Sequence, residues 1–161
     1  MDSAATVTAY VAIGSNLGDR EATIRSALLL LDKVDGVRVG RVSTLFENPS
    51  IGGPDDAPAF LNAAAEVTTT LDAASLLRRL LAIERSLGRQ RRERWAPRTI
   101  DLDLLLFGNS TLDEPHLTVP HPRMHERLFV LKPLAEIAPD AVHPVLRTTA
   151  SALLEKLTRG M

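Results

Sequence analysis

The sequence predicts an α+β fold, an antiparallel sheet with helices packed against it. Three observations carry that expectation. Between Thr6 and Phe107 the segments follow the order strand, helix, strand, strand, helix, strand. Both helical segments show apolar residues at three- and four-residue spacing, the stripe of a half-buried helix. The segments between them are rich in β-branched residues and bounded by Gly, Pro and Asp.

Thr6 to Ile13 (T-V-T-A-Y-V-A-I) reads as the first strand. Gly14 to Gly18 is a turn. Asp19 is placed to cap a helix running to about Lys33, with Ile24, Leu28 and Leu31 on one face. Asp35-Gly36 ends that helix. Val37 to Phe46 is read as a second strand. Glu47 to Pro58 holds three prolines and two glycines, so regular structure is not expected there. A loop of that length is usually functional. Phe60 to Thr70 is a third strand. Asp72 caps a second helix with a clean stripe of Leu76, Leu80, Ile83 and Leu87, stopped by Gly88. Thr99 to Phe107 is the fourth strand. Helices after the first and third strands fit one face of a four-stranded sheet, the ferredoxin-like βαββαβ arrangement. Beyond it, Pro120 and Pro122 break the chain around His121. Arg127 to Ile137 reads as a short helix interrupted near Pro133, and Ala150 to Leu157 as a final amphipathic helix. These are expected to cover the open face and complete three layers, with residues 1–161 as a single domain.

Composition narrows the function. Apolar residues make up 45% of the 161, which is ordinary for a globular protein. A net charge of −1 argues against general attraction to nucleic acid or an anionic membrane surface. Of the 19 basic residues only Lys33, Lys132 and Lys156 are lysine, an excess of arginine suited to forked recognition of phosphate. There is no cysteine, so thiolate metal sites are excluded, and a cytoplasmic location is expected. No targeting segment is recognised, and the longest strongly apolar helical run, Ala27 to Leu31, is far too short to span a bilayer.

The chemistry concentrates in Arg89 to Gly108. Five arginines fall between Arg89 and Arg98, immediately before the fourth strand. Alternation places Asp101 and Asp103 on one face of that strand, their Cα atoms about 7 Å apart, with Ile100, Leu102, Leu104 and Leu106 on the other. Paired carboxylates in an apolar strand need a counter-charge. With arginines and Trp95 alongside, they suggest a polyphosphate held through Mg²⁺. Alone, a D-L-D pair is more often solvated on an edge strand or part of a salt bridge, and an arginine run is more often a solvated loop. Two other functions are open on these residues: an RNA-binding module and a different Mg²⁺-dependent phosphoryl enzyme. Only 4% aromatic residues, and no strand of the type that stacks bases, weigh against the first.

Five blocks then occur together, in order: A-Y-V-A-I-G-S-N-L-G-D-R, F-L-N-A-A, R-W-A-P-R-T-I-D-L-D-L-L-L-F-G, L-T-V-P-H-P-R-M-H-E-R-L-F-V-L-K-P-L and E-I-A-P-D. Over roughly Ala9 to Pro144 they resemble the 6-hydroxymethyl-7,8-dihydropterin pyrophosphokinases of folate biosynthesis. The R-W-A-P-R-T-I-D-L-D block is the specific one. The resemblance implies transfer of the pyrophosphoryl group of ATP to the pterin hydroxymethyl, with release of AMP. It also implies two Mg²⁺ and a ferredoxin-like core. Asp101 and Asp103 match the metal ligands, and Arg89, Arg92, Arg98 and Asp103 the catalytic residues. Glu84, Arg98, Leu104, Thr118, His121 and Arg127 match the nucleotide side. Asn48, Pro49, Ile51, Phe60, Asn62 and Phe129 match the pterin side. The partners implied are the two small substrates alone, with no nucleic acid and no membrane, and a monomer is expected. The stretches Glu47–Pro58 and Arg89–Pro97 are read as loops that close over the substrates.

Overall fold

The computed structural model describes residues 5–16, 19–48, 60–88 and 100–160. In chain order the elements are β1 (Val7–Ser15), α1 (Arg20–Asp32), β2 (Val37–Val42), β3 (Phe46–Asn48), β4 (Phe60–Thr69), α2 (Ala73–Gly88) and β5 (Ile100–Phe107). Then follow β6 (Leu112–Glu114), β7 (Leu117–Val119), a 3-10 turn (Met124–Glu126), α3 (Leu128–Ile137), β8 (Val142–His143), β9 (Thr148–Thr149) and α4 (Ala150–Arg159). The main sheet runs β2-β4-β1-β5, antiparallel throughout, and β3 adds a fifth strand by pairing with β4. The fold is thus mixed α and β, four α-helices on an antiparallel sheet.

Both helix caps form as read. Asp19 Oδ1 accepts from the Ala22 N–H at 3.1 Å and Asp72 Oδ1 from the Ser75 N–H at 2.8 Å. The Asp72 carboxyl is held below the usual range by that backbone donor. Ile24, Ala27 and Leu31 of α1 and Leu76, Leu80 and Ile83 of α2 pack on Val11 and Ile13 of β1, Val67 of β4 and Leu102 of β5. The opposite face carries a second core: Ala12, Ala64, Leu105 and Leu106 under Leu131 and Leu134 of α3 and Leu153 of α4. Two clusters on opposite faces follow from the alternation along the strands.

β1 runs on through Gly14 and Ser15, which the sequence places in a turn, because both pair with β4 on one side and β5 on the other. Other details also depart from the sequence reading. The Val37–Phe46 segment is two strands, because Ser43 interrupts it. Its hydroxyl accepts the Ala64 N–H at 2.9 Å, taking a ladder position that a carbonyl would otherwise hold. The next strand then extends to Asn48, so Glu47 and Asn48 pair with Leu61 and Phe60 rather than opening a loop. In β5 an extra residue, Leu105, sits between the partners of Tyr10 and Val11. That bulge turns Leu106 to the second core, away from Ile100, Leu102 and Leu104. Finally, Pro133 lies inside an unbroken α3. It lacks an N–H, so the Phe129 carbonyl loses its helical donor, while packing of Leu131, Pro133 and Leu134 keeps the helix whole. Among the described residues no helix is long and apolar enough to cross a membrane.

Candidate active site

Asp101 and Asp103 sit on the edge strand β5, opposite Gly14 and Ala12 of β1. Those two small residues in turn pair with Asn62 and Ala64 of β4. Two short rows therefore cross the sheet: Asn62, Gly14, Asp101 and Ala64, Ala12, Asp103. Small residues at the centre of each row leave a hollow over the strand. The hollow is a cavity of about 400 Å³, lined by Ala12, Gly14, Asn48, Phe60, Asn62 and the two aspartates, with Arg127 and Phe129 closing it from α3 and its N-cap. Asn62 Oδ1 is buried there with no hydrogen-bond partner among the described residues, an acceptor available to a ligand N–H. Glu136, near the end of α3, accepts the Thr44 N–H at 3.2 Å and the Thr44 hydroxyl at 2.8 Å. That contact ties the helix bearing Phe129 to the segment leading into β3 and Asn48.

A second cavity of about 410 Å³ wraps the outer edge of β5, and Asp101 and Asp103 line it too. Glu84, Leu104, Thr118 and His121 are on its wall. Leu104 packs its side chain in the core beneath, so it meets this cavity along the open strand edge. Glu84 Oε2 accepts the Leu102 N–H at 2.6 Å, satisfying one backbone donor of that edge. Burial holds the Glu84 carboxyl above its usual pKa, the Leu102 N–H opposes this, and the charges of Asp101 and Asp103 add to the rise. Three carboxylates thus share one end of β5, a field that favours a bound cation. His121 is fixed twice. Its backbone N–H donates to the carbonyl of the bulge residue Leu105 at 2.9 Å, and its ring Nδ1 accepts the Arg123 backbone N–H at 3.1 Å. The imidazole proton therefore rides on Nε2. Burial keeps His121 below the ordinary imidazole pKa, Asp103 opposes this, and Arg127 and Arg123 reinforce it. A neutral ring with one N–H suits a phosphate oxygen.

Among the described residues no group of three or more His, Cys, Asp or Glu is arranged to hold a metal. A site of two carboxylates suits Mg²⁺, which takes its remaining ligands from water and substrate phosphates. Asp101 and Asp103, facing both cavities, fit that donor set.

Residues 10–139 match the family described as 7,8-dihydro-6-hydroxymethylpterin-pyrophosphokinase. The chain belongs to this family. The 2-amino-4-hydroxy-6-hydroxymethyldihydropteridine pyrophosphokinase of Bacillus subtilis (strain 168) is 51% identical over 129 residues, 80% of this chain and 77% of the relative. The Pseudomonas aeruginosa enzyme of the same name is 47% identical over 131 residues, 81% of this chain and 80% of the relative. The fold is shared with a solved HPPK-DHPS in complex with substrates, at TM-score 0.77 and 15% identity, covering 97% of this chain and 44% of the other. It is also shared with the Plasmodium falciparum HPPK-DHPS with pteroate, at TM-score 0.76 and 18% identity, covering 100% of this chain and 44% of the other. The chain thus spans less than half the length of those two solved chains. Members of the pyrophosphokinase family are ATP-dependent diphosphotransferases of folate biosynthesis.

The residues that the family resemblance implies fall in the structure as follows. Asn48, Phe60, Asn62 and Phe129, read as pterin-side, line the first cavity together. Glu84, Leu104, Thr118 and His121, read as nucleotide-side, line the second. Arg127 is the exception. It lines the first cavity, because as N-cap of α3 it precedes Leu128 and Phe129, although its charge still reaches His121. Arg89, Arg92, Arg98, Trp95, Pro49 and Ile51 lie outside the described residues. The sequence reading missed Ala12 and Gly14 in the first cavity, and Leu77, Leu81 and His116 in the second. Ala12 and Gly14 become visible only through the cross-strand register that sets them beside Asp103 and Asp101. The α2 residues alternate with its buried stripe, which marks them as facing elsewhere.

Proposed function

We propose that the pyrophosphoryl transfer of this family takes place where the two cavities meet, on Asp101 and Asp103. The observation that carries this reading is that both carboxylates line both cavities. On it, 6-hydroxymethyl-7,8-dihydropterin occupies the first cavity. Its flat rings lie against Phe60 and Phe129, and its amide edge meets Asn62. ATP occupies the second cavity, with the adenine side along the β5 edge at Leu104 and Thr118 and a phosphate oxygen on the His121 Nε2–H. Glu84 keeps the strand edge closed at Leu102.

The hydroxymethyl oxygen then attacks the β-phosphorus in line and gives up its proton to solvent. The bond from that phosphorus to the α,β-bridging oxygen breaks, and AMP leaves. Asp101 and Asp103 would hold two Mg²⁺, which offset phosphate charge and make the hydroxymethyl more acidic. Arg89, Arg92 and Arg98 are assigned to the phosphates by sequence alone. Positioning of the two substrates across the carboxylate pair supplies much of the catalysis. Both cavities are lined by one chain, so a monomer suffices. The β2-β4-β1-β5 order, with α1 and α2 on one face and α3 and α4 on the other, supports a ferredoxin-like core within three layers.

Phosphorus NMR of the protein with ATP, Mg²⁺ and the dihydropterin tests the reaction. AMP and a pterin diphosphate should form together, and only when the pterin is present. Phosphate release without the pterin would point instead to a hydrolase.

A further inference from the structure

Gly14 lies on the floor of the first cavity, between Asn62 on β4 and Asp101 on β5. Among the described residues only Gly36 and Gly108 are glycines of positive φ, so the backbone at Gly14 suits any L-residue. Space is what demands glycine here. A Cβ on Gly14 would come within 2.8 Å of Asn62 Nδ2 and 3.5 Å of Phe60 Cδ1. The closer contact is with the end of a side chain, which can yield by rotating while the strand stays in place. Asn62 Oδ1 has no partner among the described residues to resist that rotation.

We infer that Gly14 is a specificity-determining position. By lacking a side chain it lets the Asn62 amide lie across the strand at the height where a flat fused-ring substrate meets it. Gly14 is a positioning residue acting through Asn62. The inference rests on reading the first cavity as the pterin side.

Gly14→Ala is the direct test. Equilibrium binding of 6-hydroxymethyl-7,8-dihydropterin should weaken about tenfold, the loss of one well-placed hydrogen-bonding group. KM for the pterin should rise in step, while KM for ATP and kcat should stay within about twofold. Gly40→Ala is the control, because a Cβ there would meet Glu66 Oε1 at 2.7 Å, another side-chain end, and Gly40 lines neither cavity. It should leave both KM values unchanged. The double variant Gly14→Ala/Asn62→Ala separates positioning from damage. If the added methyl acts by displacing Asn62, the double variant should bind pterin no more weakly than Asn62→Ala alone. A further loss in the double variant would overturn the inference, as would unchanged pterin affinity in a folded Gly14→Ala. If Gly14→Ala does not fold, a folded double variant upholds the contact with Asn62, and an unfolded one makes Gly14 merely structural. An Asn62→Ala protein of normal pterin affinity would refute the pterin-side reading itself, which is a different result from either.

Discussion

The two faces of the sheet differ within single strands. On one face β1 presents Ala9, Val11 and Ile13, β4 presents Ala65 and Val67, and β5 presents Ile100, Leu102 and Leu104, all under α1 and α2. On the other face the same strands present Ala12 and Gly14, Asn62 and Ala64, and Asp101 and Asp103. Toward α3 and α4 that face becomes apolar again, at Leu105 and Leu106. The uniformly apolar face is the foundation. The graded face is packed at one end and hollow at the other, with carboxylates at the rim of the hollow. A period of two along each strand thus lets one segment build a core and a site at once.

Substitutions on the two faces should therefore fail in different ways. The largest effect is expected from Asp103→Ala on the hollow face. Its kcat should drop about 10³-fold, with pterin affinity within a few-fold and the melting temperature no lower than that of the parent. Near-normal turnover would remove the carboxylate pair from the chemistry. On the packed face, Leu80→Ala empties a fully buried position of α2. It should destabilise the fold by roughly 2–5 kcal/mol, while kcat per folded molecule stays near that of the parent. Thermal melts together with activity at low temperature separate the two outcomes. A loss of kcat without a loss of stability would show that the foundation also tunes the site.

Smaller effects come from charge. Glu84 has a raised pKa, so its ionisation works against the fold as pH rises through that pKa. Glu84→Gln keeps an acceptor for the Leu102 N–H and removes one of three neighbouring negative charges. The substrate-free protein should then melt about 2 °C higher at neutral pH. An unchanged or lower melting temperature would mean that the three acids do not repel. The histidines act in the opposite sense. Burial depresses the pKa of His143, helped by His125, as it does that of His121. The unfolded chain therefore takes up protons first as pH falls. Stability from these groups should be complete above about pH 6.5, the unfolded value, and decline as acid is added. The decline should lessen in a His143→Gln variant, as denaturant melts between neutral and mildly acidic pH would show.

Much of this was legible in the chain itself. The caps at Asp19 and Asp72, the stripes of α1 and α2 and the common face of Asp101 and Asp103 depend on local spacing, which a sequence displays directly. The bulge at Leu105 was not legible, because it arises from pairing with Tyr10 and Val11, nearly a hundred residues away in the chain. Yet its carbonyl anchors His121, so a feature hidden in the sequence helps to place a residue that the motif reveals. The same holds for Gly14 and Ala12. Nothing in A-I-G shows that these small residues will lie beside Asp101, Asp103 and Asn62. The short β6-β7 and β8-β9 hairpins also escaped, since strands of two or three residues are too short to show a period. Pro133 misled because local chemistry forbids a helical hydrogen bond there, whereas burial of Leu131 and Leu134 holds α3 together regardless.

The central claim is that one carboxylate pair joins two separate cavities, each reserved for one substrate. Steady-state KM for both substrates, in Asn62→Ala and in His121→Ala, tests it most directly. Asn62→Ala should raise KM for the dihydropterin at least tenfold and leave KM for ATP within twofold, and His121→Ala should do the reverse. If either substitution raises both KM values equally, or if the pattern is exchanged, the two-cavity account is contradicted.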